Sequence, residues 1–199
     1  MHKKTTGTIL MPNQQKQLLL QARNSIAYGL RHSHPPDINP NDWQDTFQQH
    51  QATFVTLEKQ QQLRGCIGSL LPRQALIADI THNAFASAFH DPRFPAVSTD
   101  ELPELIIKIS VLGAITPIAA KSEHHLIQQL LPRTDGVIIK NATYHGTFLP
   151  QVWDQLPDPT QFLLHLKRKA GIQDNQWPDD MQCFRYHCQT FCDGNPLLE

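Results

Sequence analysis

The chain has 199 residues, with 17 Lys and Arg against 18 Asp and Glu, so its formal net charge is −1. This length is typical of one domain and suffices to fold without disulfides or a structural metal. The near-neutral charge argues against binding to nucleic acid or to an acidic membrane surface, which needs a basic excess or a basic run. No apolar run approaches the roughly 20 residues of a bilayer span. We therefore expect a soluble, cytoplasmic protein.

The first half of the chain carries signals for helices and for a hairpin. Apolar residues recur at helical spacing over residues 13–29 and predict a first helix. Residues 54–58 and 63–68 predict two strands joined by a polar turn. Residues 74–89 predict a second helix, because their apolar side chains again follow helical spacing.

The second half of the chain also carries signals for both helices and strands. Residues 105–112 are β-branched and predict a strand covered on both faces, and Ser122 can cap a short helix. Residues 137–140 predict another strand. Residues 158–171 have an N-cap aspartate, a proline in the first turn and a terminal glycine, which together predict a helix. Residues 184–191 alternate and predict a closing strand. The sequence thus predicts an α+β fold, with flanking helices on a largely antiparallel sheet.

The segment with the most chemical content is Leu-Arg-Gly-Cys-Ile-Gly at residues 63–68. On a strand, Arg64 and Cys66 share one face about 7 Å apart. A guanidinium beside a thiol favours the nucleophilic thiolate, so Cys66 is a candidate catalytic residue with Arg64 as its electrostatic partner. A structural thiol beside an Arg64–carboxylate pair fits the same residues. Gly65 and Gly68 leave room for a ligand or for another backbone.

Three more residues are candidates for ligand binding. Asp91 and Arg93 follow the second predicted helix in a proline-flanked turn, which could present them to a polar ligand or simply hold an internal ion pair. Gln151 could offer amide hydrogen bonds from residues 147–153. That segment could also be a packed connection, and packing is the interpretation we favour for its aromatic residues.

The sequence predicts neither a metal site nor a cofactor. No Gly-rich phosphate loop and no His-Glu-x-x-His motif is present. Cys183 and His187 would share one face of the closing strand, and Cys188 and Cys192 the other. Each pair would then lie about 13 Å apart, which is too far to share one zinc ion. The cysteines are expected to be thiols, as is usual in a reducing compartment.

Several motifs, in the same order along the chain, make the sequence resemble the AMMECR domain family, named for the AMME chromosomal region protein. The family's hallmark is the hexapeptide at residues 63–68, and the resemblance extends through residues 91–95, 101–105, 110–112, 135–138, 147–153, 155–158 and 169–171. These motifs cover nearly the whole chain. Within the family, the sequence resembles the prokaryotic branch, protein A of the AmmeMemoRadiSam system.

The resemblance implies a single domain over residues 1–199, built as two unequal lobes with a cleft between them. It also implies two partners, a radical SAM enzyme and a Memo-like protein. It implies no reaction. Two functions therefore stay open: a protein that binds a small ligand or a partner protein in its cleft, and a thiol enzyme with Cys66 as nucleophile. We expect Arg64 and Cys66 to point into the cleft, with Asp91 or Arg93 at its rim.

Overall fold

Helices and strands are interspersed in the computed structural model, which describes residues 9–194. The described residues divide into a larger unit, residues 9–112 with 189–194, and a smaller unit, residues 113–188. The helices are α1 Pro12–His32, α2 Asp45–Gln48, α3 Leu76–Phe89, α4 Glu123–Ile127 and α5 Pro159–Ala170. The strands are β1 Thr53–Lys59, β2 Gln62–Gly68, β3 Ile106–Leu112, β4 Thr116–Ile118, β5 Gly136–Lys140, β6 His145–Phe148, β7 Gln182–Tyr186 and β8 Cys188–Cys192. Short 3-10 helices lie at Pro40–Asp42, Leu102–Glu104 and Pro150–Asp154.

The larger unit is a four-stranded sheet in the order β2-β1-β3-β8, with α1 and α3 packed on it. β1 pairs antiparallel with both β2 and β3. Gln60 and Gln61, between β1 and β2, both have positive φ, which suits a two-residue hairpin turn matched to the twist of the strands. The apolar stripe predicted for the first helix is fully buried, and it joins one core with the inward residues of β1 and β3 and with α3.

The smaller unit is a second four-stranded sheet, in the order β4-β7-β5-β6, with α4 and α5 beside it. α5 follows its sequence signals closely, because the Asp158 carboxylate accepts the Gln161 N–H at 2.9 Å and Gly171 ends the helix at φ 84°. Trp153 is fully buried, stacked 3.7 Å from the Phe162 ring, and its indole N–H donates to the Asp135 carbonyl at 2.7 Å. The aromatic residues of segment 147–153 therefore pack, as predicted.

The predicted closing strand is wrong in one respect, since residues 184–191 contribute to two strands in different sheets. β7 pairs with β4 and β5, and after His187 the chain continues as β8 at the edge beside β3. The apolar alternation runs through this change of partners and therefore cannot reveal it. β4 and β6 are short strands that the sequence analysis missed.

The predicted α+β class, with antiparallel sheets and flanking helices, is confirmed. The cleft between lobes stays a prediction. Within residues 9–194, no helix has the length and apolar character to cross a membrane.

Candidate functional site

Alternation along β1 gives the sheet of the larger unit two different faces. Val55 and Leu57 point toward the helices and are fully buried, so Thr56 between them points the other way. The register pairs Thr56 with Cys66 on β2 and with Lys108 on β3. These three half-buried residues form one row on the side opposite the helices. We call this side of the sheet the Cys66 face.

β2 is an edge strand, and α3 is attached to the β1–β2 hairpin in three places. Near its start, the Asp79 carboxylate accepts the Thr53 N–H at 2.9 Å. In its last turns, the Ser87 hydroxyl donates to the Val55 carbonyl at 2.7 Å and accepts the Ile67 N–H at 2.9 Å. Just beyond its end, Asp91 accepts the Cys66 N–H. The helix therefore fixes the position of the hexapeptide strand.

The two glycines of the hexapeptide permit this close packing. A Cβ at Gly65 would lie 2.1 Å from the Ser87 carbonyl oxygen, and one at Gly68 would lie 2.3 Å from the Thr53 carbonyl oxygen. Both contacts are with backbone that cannot move without disturbing α3 or β1. The sequence analysis offered two reasons for these glycines, room for a ligand or room for another backbone. The structure shows the close approach of another backbone. Ligand contacts of Gly65 and Gly68 stay predictions.

Asp91 and Arg93 hold the outer edge of β2 at Cys66. The Asp91 carboxylate accepts the Cys66 N–H at 2.8 Å, while Arg93 Nε and Nη2 donate to its two oxygens at 2.9 and 2.7 Å. Arg93 Nη2 also donates to the Cys66 carbonyl at 3.2 Å. These hydrogen bonds from Arg93 hold the pKa of Asp91 well below its usual range, although burial of the side chain, which is 2% exposed, acts in the opposite direction. This ion pair, which we call the edge clamp, satisfies both backbone groups of Cys66 on an otherwise open edge.

Arg64 forms a second two-pronged ion pair. Its Nε and Nη2 donate to the two Glu101 oxygens at 3.0 and 3.1 Å, and these bonds lower the pKa of Glu101 to about 2. A register shift between Leu57 and Glu58 leaves Arg64 without a paired residue on β1. The structure therefore shows the arrangement in which Arg64 pairs with a carboxylate. A direct role of Arg64 toward the thiol stays a prediction.

The Cys66 thiol has a polar environment. Thr56 Oγ1 donates a hydrogen bond to Cys66 Sγ at 3.2 Å. The hydrogen bonds to Asp91 are the main reason that the pKa of Arg93 is raised, and electrostatic attraction to Cys66 adds to it. Arg93 contacts Cys66 directly through the carbonyl oxygen of that residue. By contrast, burial raises the pKa of Cys183 to about 11 and that of Cys188 to about 12. The sequence analysis proposed Arg93 only as a rim residue and missed its contact with Cys66.

Both arginines keep one nitrogen unused. Arg64 and Arg93 each spend Nε and Nη2 on protein acceptors, and neither Nη1 makes a hydrogen bond to the residues that the structure describes. The two arginines differ in exposure: Arg64 Nη1 is buried from water, whereas the Arg93 side chain is 53% exposed. A buried guanidinium nitrogen without an acceptor is unfavourable by about 1–3 kcal/mol.

The remaining candidate, Gln151, lies in the 3-10 helix Pro150–Asp154 of the smaller unit, whereas the other candidates lie in the larger unit. Its grouping with Cys66 stays a prediction. In the described part of the chain, no set of three or more His, Cys, Asp or Glu side chains could hold a metal ion. The structure thus brings together Arg64, Cys66, Asp91 and Arg93, joined by Thr56 and Glu101.

Comparisons with known proteins give matches over most of the chain. The AMMECR1 family profile matches residues 19–191. A protein of Methanothermobacter thermautotrophicus is 34% identical over 178 residues, which are 88% of this chain and 92% of the relative. A protein of Thermotoga maritima is 35% identical over 150 residues, covering 74% of this chain and 81% of the relative. The crystal structure of the uncharacterized protein PH0010 from Pyrococcus horikoshii superposes with a TM-score of 0.81 at 29% identity, covering 90% of this chain and 91% of that one. The chain belongs to the AMMECR1 family.

Proposed function

We propose that this protein binds a small ligand with a carboxylate or similar anionic oxygen, at the two arginines beside Cys66. In this proposal it serves as the binding component that works with a radical SAM enzyme and a Memo-like protein, the partners implied by the family resemblance. The observation that carries the proposal is the pair of unused Nη1 nitrogens on Arg64 and Arg93. Both belong to guanidinium groups that the protein already holds in place.

The ion pairs support binding by fixing the arginines in advance. An arginine held through Nε and Nη2 loses little further freedom when Nη1 meets an acceptor, and charge-assisted bonds of this kind are the strong ones. The pKa of each carboxylate partner, Asp91 and Glu101, is lowered, so both stay ionised at neutral pH. Because each arginine is neutralised locally, recognition depends on hydrogen-bond geometry more than on net charge.

Protection of Cys66 from alkylation tests this proposal. The labelling rate of Cys66 by iodoacetamide is measured by peptide mapping, with acetate, succinate or inorganic phosphate added and with chloride at equal ionic strength as reference. We expect at least one of the three anions to slow Cys66 labelling more than threefold with saturation, while Cys192 is unaffected. Equal rates in all four salts would contradict the proposal.

A matched pair of variants separates the site from a general salt effect. Arg93→Lys keeps the charge and loses the fork, so we expect it to weaken protection about tenfold. Arg168 makes the same two-pronged contact with Asp174, at 2.9 and 2.7 Å, in the smaller unit. Arg168→Lys is therefore the control, and we expect it to leave protection unchanged.

The partnership has its own test. The purified protein is mixed with a radical SAM enzyme and a Memo-like protein encoded in the same genome, and complex formation is followed by analytical ultracentrifugation. We expect a complex with at least one of the two. Sedimentation of all three as separate species at concentrations of tens of micromolar would refute this part of the proposal.

A thiol enzyme with Cys66 as nucleophile is the second candidate. It is favoured by the Thr56 hydroxyl that donates to Cys66 Sγ and by the nearby Arg93, since donors and cations both favour a thiolate. The pH dependence of alkylation tests it. A Cys66 midpoint at least one unit below that of Cys192, returning toward it in Thr56→Val, would support the enzyme, and equal midpoints would count against it.

A further inference from the structure

A separate cavity of about 340 Å³, open to the surface, lies in the helical layer of the larger unit, and most of its lining residues are exposed. One wall is a single stripe along α1, formed by Gln17, Leu20, Gln21 and Asn24. These residues are spaced i, i+3, i+4 and i+7, so they share one side of the helix. Since α1 packs on the side of the sheet opposite the Cys66 face, the cavity is independent of the proposed function. Its volume is within the range of small-molecule sites.

The opposite wall is formed by Asp42, Trp43 and Gln44, at the end of the first 3-10 helix. Gln44 joins the two walls, because its Nε2 donates to Gln17 Oε1 at 2.8 Å while its Oε1 accepts from Gln14 Nε2 at 2.9 Å. The backbone of Trp43 is fixed as well, since its N–H donates to the Pro40 carbonyl at 3.1 Å. The two walls are therefore held together by hydrogen bonds of the protein itself.

The orientation of the Gln21 amide follows from its neighbours. Thr81 Oγ1 donates its single proton to the Ile77 carbonyl at 2.8 Å, so it can only accept from Gln21, at 3.1 Å. The atom facing Thr81 is therefore Gln21 Nε2, and Oε1 is left as an acceptor. Among the described residues, this Oε1 has no hydrogen-bond donor. The Gln21 residue is 8% exposed, so the acceptor is held rigidly.

The other polar groups of the cavity are also available. The side chain of Asn24 and the indole N–H of Trp43 make no hydrogen bond to any residue between 9 and 194, and Asp42 uses only Oδ1, with Asn39 at 3.1 Å. The cavity is lined by amides, one carboxylate, one half-buried indole ring and one leucine, with no lysine or arginine. An anionic ligand would meet the Asp42 carboxylate with no cation to balance it.

We propose that this cavity binds a neutral, polyhydroxylated ligand of the size of a single sugar ring. Hydroxyl groups both donate and accept, and they match the Asn24 amide, the Gln21 acceptor and the Asp42 carboxylate. The apolar C–H face of a sugar ring packs on an indole ring, and the half-buried Trp43 lines the cavity. A lone carboxylate among amides favours hydroxyl donors, whereas a compact cation would be favoured by several acids.

Nitrogen-labelled protein provides a readout for this site. The indole N–H signal of Trp43 is identified by its loss in Trp43→Phe, and Trp153 and Trp177 act as internal references. Glucose, galactose, N-acetylglucosamine and myo-inositol are titrated separately to 100 mM, beside spermidine and acetate. We expect the Trp43 signal to shift with saturation for at least one of the four polyols, with a dissociation constant in the millimolar range.

Two variants give the matched comparison. Asn24→Ala removes an amide from the cavity, and we expect it to weaken binding at least tenfold. Asn175→Ala removes an exposed asparagine in the smaller unit, and we expect no change. The proposal is overturned if no polyol shifts the Trp43 signal, if spermidine or acetate alone does so, or if both variants bind equally.

Discussion

Two buried aspartates at opposite ends of α3 hold the same hairpin and have opposite electrostatic character. Asp79, 3% exposed, accepts from Thr53 N, Thr53 Oγ1, Asn83 and Gln74, all of them neutral donors. Burial outweighs these hydrogen bonds and raises the pKa of Asp79. Asp91, 5% exposed, accepts from Arg93, and its pKa is lowered. The two carboxylates therefore differ for two reasons: Asp91 has a cation as its main partner and lies nearer the surface, whereas Asp79 has neutral donors and lies deeper.

In our proposal, the difference also separates a structural end of the helix from a ligand-binding end. The donors around Asp79 all bind this buried carboxylate and so serve the packing of the hairpin on α3. Asp91 holds Arg93 in place, and Arg93 keeps a free nitrogen beside the Cys66 face. The same attachment of helix to hairpin thus fixes the fold at one end and positions a half-exposed cation at the other.

The largest loss of stability is expected from a substitution at Gly65, where β2 contacts α3 between the two aspartates. Gly65→Ala places a Cβ against the Ser87 carbonyl oxygen at 2.1 Å, and we expect a loss of about 3 kcal/mol in the free energy of unfolding. Urea unfolding followed by NMR signals of the larger unit measures it. Gly113→Ala, whose Cβ would lie 3.3 Å from the His187 carbonyl oxygen, is the control; followed by NMR signals of the smaller unit, it should lose less than about 1 kcal/mol. Equal losses would show that the close approach at Gly65 is unimportant.

Asp91→Asn is expected to have the next largest effect. Both carboxylate oxygens of Asp91 accept hydrogen bonds, one from Cys66 N–H and the other from Arg93 N–H and Nε. In either orientation of the asparagine side chain, its NH2 group would therefore face another donor. We expect a loss of about 2 kcal/mol, typical of a buried charge-assisted hydrogen bond. The same urea experiment measures it. Asp174→Asn, which breaks an exposed pair and is followed by NMR signals of the smaller unit, should change stability little.

Acid should reveal the opposite signs of the two aspartates. The folded-state pKa of Asp91 is lowered, so its stabilisation is present above the ordinary value of 3.8 and is lost as pH falls below it. The folded-state pKa of Asp79 is raised, so protonation below that pKa favours the folded state. Between pH 6 and pH 3, roughly, we expect Asp91→Asn to lose less stability than the wild type and Asp79→Asn to lose more. Parallel curves for the three proteins would contradict both assignments.

Asp79→Asn should have the smallest effect at neutral pH. One amide oxygen can still accept from Thr53, Gln74 can rotate its own amide to accept, and the cost of burying a charge disappears. We expect a loss of at most about 1 kcal/mol, measured by urea unfolding as before. A loss greater than that of Asp91→Asn would reverse the comparison.

Much of the secondary structure could be predicted from local signals. The N-cap of α5, the stripe of α1 and the β1–β2 hairpin depend on neighbours a few residues apart, and each was predicted within a few residues. The break at His187 was missed, because alternation describes the faces of a strand and not its partners. The register shift at Arg64 was missed for the same reason.

For the candidate site, the sequence by itself determined which residue types are present and that β2 carries Arg64 and Cys66. It also placed Asp91 and Arg93 in one rigid turn after α3. The tertiary structure alone decided that Glu101 receives Arg64, that Arg93 is the cation near Cys66 and that Ser87 fills the space at Gly65. These contacts join residues 20 or more positions apart, and they form because packing α3 on the sheet brings the groups together. The spacing of residues within one segment of the sequence cannot predict such contacts between distant segments.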